Sequence, residues 1–500
     1  MPEINDLIKA IKDTRGTSRI PVFEMLKKKN TDFDLDLISL AYDFAKEAHE
    51  GQLRKSGEPY ITHPLETAIT LAKMGLDQPT IIAALLHDVP EDTSYSLVDV
   101  EKNFGPEVAK LVGGITKLGI IKYRGMEKYA ENLRRMFISM AQDIRIILIK
   151  MADRLHNLST LKALPPEKQE RIAKESLEIY APIANRLGMG FIKGELEDLA
   201  FPYVYPKEYQ WMQTEIIPQI KTQMDYVNRV IKVVEKELRA QHLKVTSIHG
   251  RAKRLFSLFQ KLKRPQYSGD INKIYDLVAL RIVVPTVADC YHVLGIIHHL
   301  WKPVPGRIKD YIAQPKPNGY QSLHTTIFCL EGKIVEFQIR TIEMHEQAEY
   351  GITAHWHYKE SHKNPKKMNE KGRELPKKFK WIEDLVDWQK EIQDNEQYLD
   401  SLTLDFFKNR IFVLTPNGDV IDLPEEATVV DFAYHVHTWI GDHCVGSRVN
   451  GTMASCDSAL KSGDVVEIIT DKNRKGPNRD WLQFAKTQAA KSKIRSKFQK

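Results

Sequence analysis

The sequence has few cysteines and no long apolar run. Its four cysteines are widely separated and form no CxxC pair, which argues against a disulfide framework and a thiolate zinc site, so we expect reduced thiols. The longest apolar run, Ile81 to Leu86, is far shorter than the roughly 18 residues that span a bilayer. The first residues, MPEINDLIKAIKD, also lack the apolar core of a signal peptide. We therefore expect a cytoplasmic protein with no membrane partner.

A strong charge bias is also missing. The net charge of +7 over 500 residues is too mild to indicate a nucleic-acid-binding protein, and we expect no DNA partner. Hydrophobic and charged fractions of 42% and 28% are those of a globular chain, and the length corresponds to about three domains. The basic residues that stand out lie in 359–380, which reads as a solvated linker.

The spacing of apolar residues changes twice along the chain. Residues 37 to about 200 place them every three or four positions, which predicts an all-α domain. From about 244 the period is two, with helical patterns at 286–300 and 341–355, which predicts a mixed α/β domain. Two later strands joined by an Asn417-Gly418 turn predict a small β-grasp-like unit. The predicted divisions are 1–200 helical, 201–243 helical joint, 244–358 α/β, 359–405 basic and helical linker, 406–472 small β unit and 473–500 basic C-terminal segment.

Two histidines and two aspartates lie near predicted helices. Pro64 suits a first helical position and places His63 at a helix start, while His87 and Asp88 close the run IIAALLHD. Asp153 lies on the polar face of DIRIILIKMADRLHNLSTL. A lone histidine is more often a core or surface residue, but the adjacent His-Asp pair puts two costly polar groups near a core. A divalent metal bound by imidazole and carboxylate satisfies both.

Basic residues and two carboxylates cluster in the predicted α/β domain. Period-two alternation in KIVEFQIR puts Glu336 opposite the apolar face, and Asp276 is expected within the strand IYDLVALR. Two carboxylates on strands amid cations predict a Mg²⁺ and nucleotide site, although solvated basic loops are commoner. The cations and one aromatic ring lie in HGRAKRL and GRIKDYIAQPKPNGYQ: Arg251, Lys253, Arg254, Arg307, Lys309, Lys316 and Tyr320.

Motifs in a fixed order resemble the RelA/SpoT homologue family of (p)ppGpp synthetase/hydrolases. HEGQLRKSGEPYITHP, ALLHDVPEDT and KMADRLHNLSTL are similar to its all-α HD-type hydrolase domain. YDLVALRIVV, NGYQSLHTT and EFQIRT resemble its nucleotidyltransferase-like synthetase domain, and ATVVDFAYHVHTWIGDHCVGSRVNG its β-grasp TGS domain. The resemblance implies a bifunctional enzyme of the stringent response. Such an enzyme transfers pyrophosphate from ATP to the 3′-OH of GDP or GTP, and hydrolyses (p)ppGpp to GDP or GTP and pyrophosphate.

The resemblance also implies roles in the hydrolase domain. Glu91 and Asp92 would position or activate the attacking water. Pro90 departs from the HDxxEDT pattern, where a β-branched residue or leucine is expected, and it either re-aims these two carboxylates or marks where the helix already ends. One Mn²⁺ would bind His63, His87, Asp88 and Asp153. The nucleotide pocket would be lined by Arg54, Lys55, Ser56, Arg154, Asn157 and Thr160.

In the synthetase domain the resemblance implies that Asp276 and Glu336 bind Mg²⁺ and that Glu336 is the general base on the acceptor 3′-OH. Tyr320 would stack on guanine and His324 would contact its phosphates. The RIKD stretch has the RxKD form of bifunctional members. The implied nucleotide-binding set is Arg251, Lys253, Arg307, Lys309, Tyr320 and His324.

The TGS resemblance implies a contact between His437 and uncharged tRNA on the ribosome. As residues alone, His435 and His437 equally suit a polar helix face. Two alternatives to a bifunctional enzyme stay open: a monofunctional synthetase with an HD domain impaired by Pro90, and a ribosome- or tRNA-binding regulator. Long family members continue into regulatory domains, and the sequence does not decide whether such a region was removed.

Overall fold

A computed structural model of the chain describes residues 33–119, 126–265, 267, 269–316, 318–354, 382 and 410–498. The chain divides into two compact units. The first contains a helical domain followed by a five-stranded sheet, and the second contains the C-terminal strands. The linker predicted at 359–380 and residues 1–32 lie outside the described residues. Among the described helices, none combines the length and the hydropathy that crossing a membrane requires.

The N-terminal part is helical, as its periodicity predicts. The predicted apolar stripe of the helix at Asp153 is confirmed, because Ile144, Leu148, Met151, Leu155 and Leu158 are all buried. The helices are α1 Leu35–Ala48, α2 Thr62–Lys73, α3 Gln78–Leu86, α4 Val89–Asp92, α5 Leu97–Gly119, α6 Met126–Gln142, α7 Arg145–Ser159, α8 Pro166–Glu175, α9 Ala181–Arg186, α10 Gly190–Val204, α11 Pro206–Trp211 and α12 Ile217–Ala240.

Helix α2 begins earlier than the position of Pro64 predicts. It starts at Thr62, so His63 lies inside the first turn and Pro64 is the third helical residue. Backbone N–H groups of a first turn have no partner within the helix, so a proline is tolerated throughout this turn and does not fix the starting residue. His63 nevertheless remains at the helix start, buried with 2% of its surface exposed.

The following domain is built on a mixed sheet in the order β1-β2-β5-β4-β3, in which β2 and β5 are parallel and the other pairs antiparallel. Strands β4 and β5 form a hairpin whose turn contains Glu331 and Gly332, both with positive φ. The elements are β1 Ser247–Ala252, α13 Leu255–Leu262, β2 Val278–Val284, α14 Val287–Leu300, β3 Pro303–Asp310, β4 Leu323–Phe328, β5 Ile334–Thr341 and α15 Ile342–Tyr350.

The two faces of this sheet differ in polarity. On β5, Val335, Phe337 and Ile339 are fully buried in the core that includes α12, α13 and α14, so Glu336 lies on the opposite face, as predicted. The expectation that Asp276 lies within a strand is wrong. The β1–β2 pairing ends at Ala252 and Val278, which leaves Asp276 in the turn before β2.

The second unit contains two small sheets, a β6-β7 hairpin and β10-β8-β9, and the predicted Asn417-Gly418 turn joins the hairpin strands. Buried Asp431 accepts hydrogen bonds from the backbone of Lys486 and Thr487, so residues beyond 472 pack on the same core. The elements are β6 Arg410–Leu414, β7 Val420–Pro424, α16 Val429–Val436, α17 Thr438–Asp442, β8 Cys444–Val449, β9 Thr452–Ala454, β10 Val466–Thr470, α18 Trp481–Phe484 and α19 Gln488–Phe498. All four cysteines are free thiols.

Candidate active sites

Helices α2, α3 and α7 bring the four predicted metal ligands of the helical domain together. His63 Nε2 is 3.5 Å from Asp88 Oδ2 and 3.1 Å from Asp153 Oδ1. His87 Nε2 is 3.2 Å from Asp88 Oδ1. Ligand atoms of His63, His87 and Asp88 all lie within 4.8 Å of one another. Because α3 ends at Leu86, the next two side chains can both face this cluster.

The donor set fits a divalent metal. His87 Nδ1 donates to the carbonyl of Ala84 at 2.8 Å, which leaves the lone pair on Nε2. That Nε2 is buried and makes no hydrogen bond. A buried, unpartnered imidazole nitrogen beside two carboxylates is the arrangement that a cation satisfies.

Charged neighbours keep the cluster carboxylates ionised. Burial raises the pKa of Asp153, but Lys150 and His63 outweigh burial and hold this pKa well below its usual range. Lys150 Nζ is 2.6 Å from Asp153 Oδ2. Burial likewise raises the pKa of Asp88, and His87 and His63 more than offset it. Both side chains can therefore serve as anionic ligands at neutral pH.

Two further carboxylates lie beside the cluster. The hydroxyl of Tyr60 is 2.6 Å from Asp92 Oδ2 and 3.0 Å from Asp88 Oδ2, so it joins them. Burial, followed by the charge of Asp88, raises the pKa of Glu91. A carboxyl with a raised pKa beside a metal-ligand cluster is a candidate general acid or base.

Three of the predicted nucleotide-pocket residues contact one another. Arg54 Nη2 donates to Asn157 Oδ1 at 2.9 Å and to Thr160 Oγ1 at 3.4 Å. Lys55 and Ser56 are exposed in the same turn as Arg54. Arg154 contacts other side chains: it pairs with Glu175 at 3.2 Å, and its guanidinium lies 4.5 Å from the Tyr180 ring.

In the α/β domain, Asp276 binds two ammonium groups. Its Oδ2 is 2.6 Å from Lys253 Nζ, and its Oδ1 is 2.6 Å from Lys261 Nζ. Burial raises the pKa of Asp276, but the two lysines outweigh burial and lower the pKa to about 2. Carboxylate oxygens such as those of Asp276 suit Mg²⁺, although the cation has to share or displace an ammonium there.

A hydrogen-bonded chain leads from Tyr320 to Glu336. The Tyr320 hydroxyl is 2.7 Å from His324 Nε2, and His324 Nδ1 is 3.1 Å from Glu336 Oε1. Burial lowers the pKa of His324, so the neutral ring accepts from Tyr320 and donates to Glu336. Burial raises the pKa of Glu336, but hydrogen bonds from His324 and Gln338 lower it overall. Glu336 is thus an oriented carboxylate.

Two lysines lie beside these hydrogen-bonded residues, and three of the predicted nucleotide-binding cations are exposed. Lys309 on β3 is paired in register with His324 on β4. Arg251, Arg307 and Lys309 are exposed, so their side chains are accessible to the phosphates of a nucleotide. Lys316 lies 5.2 Å from the ring centre of Tyr320.

In the second unit, His437 lies between α16 and α17. Its Nδ1 accepts the backbone N–H of Trp439 at 3.1 Å. Exposed Trp439 stacks on half-buried His443 with ring centres 4.4 Å apart. His437 therefore fixes the start of the helix that displays Trp439.

Three family matches cover the three parts of the chain. Residues 41–190 match the HD domain, residues 250–363 the region found in RelA / SpoT proteins, and residues 411–470 the TGS domain. Over 93% of its length the chain is 48% identical to GTP pyrophosphokinase of Streptomyces coelicolor, covering 55% of that protein. The chain belongs to the RelA/SpoT homologue family.

The names of two other relatives include a hydrolase activity. Over 92% of its length this RelA/SpoT homologue is 47% identical to guanosine-3′,5′-bis(diphosphate) 3′-pyrophosphohydrolase of Aquifex aeolicus, covering 64% of that protein. Over 93% of its length it is 46% identical to bifunctional (p)ppGpp synthase/hydrolase RelA of Mycobacterium tuberculosis, covering 63%. The chain thus spans little more than half of the curated relatives' lengths.

In this RelA/SpoT homologue, His156 contacts the metal-ligand cluster although the sequence pattern does not indicate it. Its Nδ1 is 2.8 Å from His63 Nδ1. Burial, His63 and Arg54 lower the pKa of His156 to about 4, so the neutral ring accepts a hydrogen bond and leaves His63 Nε2 free to bind a metal. The signal was a second histidine one turn after Asp153, but nothing in the local pattern indicates a partner 93 residues away.

His156→Phe is therefore expected to lower Mn²⁺ affinity by about 10- to 100-fold, since outer-shell partners of ligating histidines have effects of this size. Calorimetric titration of the variant and the wild type with Mn²⁺ measures this difference in affinity. His299→Phe, at an exposed histidine of α14, is the matched control and leaves the affinity unchanged. Equal affinities in both variants would show that His156 does not orient His63.

The two interpretations of Pro90 can be separated. Helix α3 ends at Leu86, and Pro90 lies in the first turn of the separate short helix α4, which also carries Glu91 and Asp92. A proline in a first turn costs no intrahelical hydrogen bond. Pro90 therefore follows a helix end that is already present.

Pro90→Val is accordingly expected to change the rate of (p)ppGpp hydrolysis by less than about threefold, because no intrahelical hydrogen bond is gained in a first turn. Initial rates at saturating Mn²⁺ provide the comparison. A tenfold faster variant would mean that Pro90 does hold Glu91 or Asp92 out of position.

Proposed function

We propose that the chain synthesises and hydrolyses (p)ppGpp at two separate sites. The observation that carries the proposal is the presence of two complete and chemically different clusters in one chain. One joins imidazoles and carboxylates around an unpartnered Nε2, and the other joins an oriented carboxylate to lysines. The relatives' names include both a pyrophosphokinase and a 3′-pyrophosphohydrolase, which supports both activities.

For the hydrolase we propose Mn²⁺ as the metal. When bound, it lowers the pKa of a water and polarises a phosphoryl oxygen. Glu91 takes a proton from the water that attacks the phosphorus on the 3′ oxygen. The bond between that oxygen and phosphorus breaks, the oxygen takes up a proton and pyrophosphate leaves, while Tyr60 holds Asp92 in place. Arg54 offsets phosphate charge from its position beside Asn157. The proposed ligands are His63, His87, Asp88 and Asp153.

For the synthetase we propose that Glu336 removes the proton from the 3′-OH of GDP or GTP. The 3′ oxygen attacks the β-phosphorus of ATP, the bond between this phosphorus and the α-phosphate bridging oxygen breaks, and AMP leaves. Mg²⁺ at Asp276 and Glu336 neutralises phosphate charge when bound. Lys253, freed from Asp276, pairs with the ATP phosphates together with Arg251 and Lys309.

For the TGS domain we propose a contact with RNA such as the uncharged tRNA of a ribosome. The exposed ring of Trp439, stacked on His443, supports this proposal, because bases stack on aromatic rings of this kind. His437 takes part by fixing the backbone at Trp439.

The proposal is tested by two incubations of the same preparation, one with Mg²⁺, ATP and GDP and one with Mn²⁺ and ppGpp, with nucleotides resolved by ion-exchange chromatography. We expect AMP and ppGpp in the first, and GDP and pyrophosphate in the second. Synthesis alone would leave the monofunctional alternative, and no turnover in either would favour an RNA-binding regulator.

A further inference from the structure

A buried arginine of the synthetase domain has no hydrogen-bond partner. Arg340 on β5 is 0% exposed, and its Nε, Nη1 and Nη2 make no hydrogen bond with the described residues. A guanidinium cannot shed its charge by losing a proton. A buried charge without a partner is strongly destabilising, so a fold keeps one only where something else satisfies it.

Other buried arginines of the chain are paired. Arg145, 5% exposed, contacts the carboxylates of Asp77, Asp143 and Glu107. Arg281, 4% exposed, donates to Glu349 at 2.9 Å. A purely structural role for Arg340 predicts the same kind of pairing, which is missing.

The surroundings of Arg340 contain a carboxylate that is already engaged and other polar atoms that have no partner within the described part of the chain. Glu349, the carboxylate whose charge acts on it, already accepts from Arg281. His345 Nδ1 on α15 is likewise buried and unpartnered, as is Gln338 Oε1, on the same face of β5 as Arg340. Arg340, Gln338 and His345 therefore all have buried polar atoms without a hydrogen-bond partner among the described residues.

An aromatic ring adjoins this place. The Arg340 guanidinium carbon lies 5.8 Å from the centre of the Tyr320 ring. Tyr320 is also joined through His324 to Glu336, the proposed base. The ligand therefore needs a flat surface that stacks and an edge that accepts hydrogen bonds.

We propose that Arg340 binds the purine of the acceptor nucleotide, donating to O6 and N7 of guanine. The inference rests on the proposed synthetase function. The arginine fork matches these two acceptors, whereas adenine presents an amino donor in place of O6. Phosphates are better served by the exposed cations Arg251, Arg307 and Lys309. Because Arg340 is enclosed, the base reaches it when the Tyr320 ring turns away from His324 and stacks on it.

The test compares GDP with 7-deaza-GDP, in which a C–H replaces N7, for the wild-type chain and Arg340→Met. In the wild type the analogue raises the acceptor KM about tenfold. In Arg340→Met the KM for GDP rises by about tenfold or more and the analogue causes no additional increase. The KM for ATP stays within about twofold, since the inference concerns the acceptor alone.

Two variants complete the design. Arg340→Lys keeps the charge but loses the planar fork, so it should fold like the wild type and discriminate less strongly at N7. Arg229→Met, at an exposed ion pair with Glu331 in the same domain, changes neither KM. A 7-deaza effect that persists in both Arg340 variants, or an unchanged KM for GDP with a lower melting temperature, would overturn the inference.

The proposed function and this inference fail separately. A wild-type chain that makes no ppGpp contradicts the function. Calorimetric titration with GDP and 7-deaza-GDP then still reports whether Arg340 reads N7, since binding needs no turnover. Equal affinities of the wild type and Arg340→Lys for both nucleotides overturn the inference.

Discussion

Glu336→Gln is expected to lower the rate of ppGpp synthesis by at least about a thousandfold, since general-base catalysis alone contributes 10²- to 10⁴-fold. The substitution keeps the shape of the side chain. It removes the acceptor for the 3′-OH proton and one anionic ligand of the proposed Mg²⁺. His324 and Gln338 both donate to this carboxylate, and an amide nitrogen facing them would repel their N–H groups. The effect therefore appears mainly in kcat.

Two comparisons make this result specific. The same preparation of Glu336→Gln should hydrolyse ppGpp at the wild-type rate, because the hydrolase cluster is built from helices of another domain. Glu343→Gln, at an exposed position of α15, should leave both rates unchanged. Synthesis within tenfold of wild type in Glu336→Gln would exclude this residue as the base.

Asp88→Asn is expected to abolish hydrolysis, with a loss of at least about a thousandfold, as removal of a direct ligand disables a metal-activated water. Its carboxylate lies between His63 and His87 and also meets the Tyr60 hydroxyl. An amide offers one weaker oxygen ligand in place of two anionic oxygens. Calorimetric titration should therefore show weaker Mn²⁺ binding in parallel with the lost activity.

The control for this prediction is Asp36→Asn, in the exposed first turn of α1. It should retain Mn²⁺ binding and both activities. Asp88→Asn should retain synthesis. A variant that loses hydrolysis but binds Mn²⁺ as tightly as the wild type would place Asp88 outside the ligand set.

Much of the fold is predictable from the spacing of apolar residues, because this spacing records which side of a helix or strand is buried. The stripe on α7 and the alternation on β5 are both present in the sequence, and both orient the polar residues correctly. Element ends were less predictable. The apolar neighbours of Asp276 predict a strand at this position, but the β1–β2 pairing stops at Val278.

Contacts between residues that are distant in sequence could not be predicted from the sequence. His156 bonds a histidine 93 residues earlier, and Lys261 reaches Asp276 from α13. Neither contact has a local pattern, because each depends on how two elements pack. Arg340 is the opposite case: the sequence places it on the polar face of β5, but only the packing reveals that no described residue bonds it.

The central claim, that one chain makes and breaks the same bond at two sites, is tested most directly by following one label. Wild-type protein is given Mg²⁺, GDP and ATP labelled with ³²P at the γ position, and Mn²⁺ is added after the ATP is removed. The account predicts that the label moves from ATP into ppGpp and is then released as pyrophosphate. Glu336→Gln stops the first transfer and Asp88→Asn the second. Label released as orthophosphate, or no label in ppGpp at any time, would contradict the account.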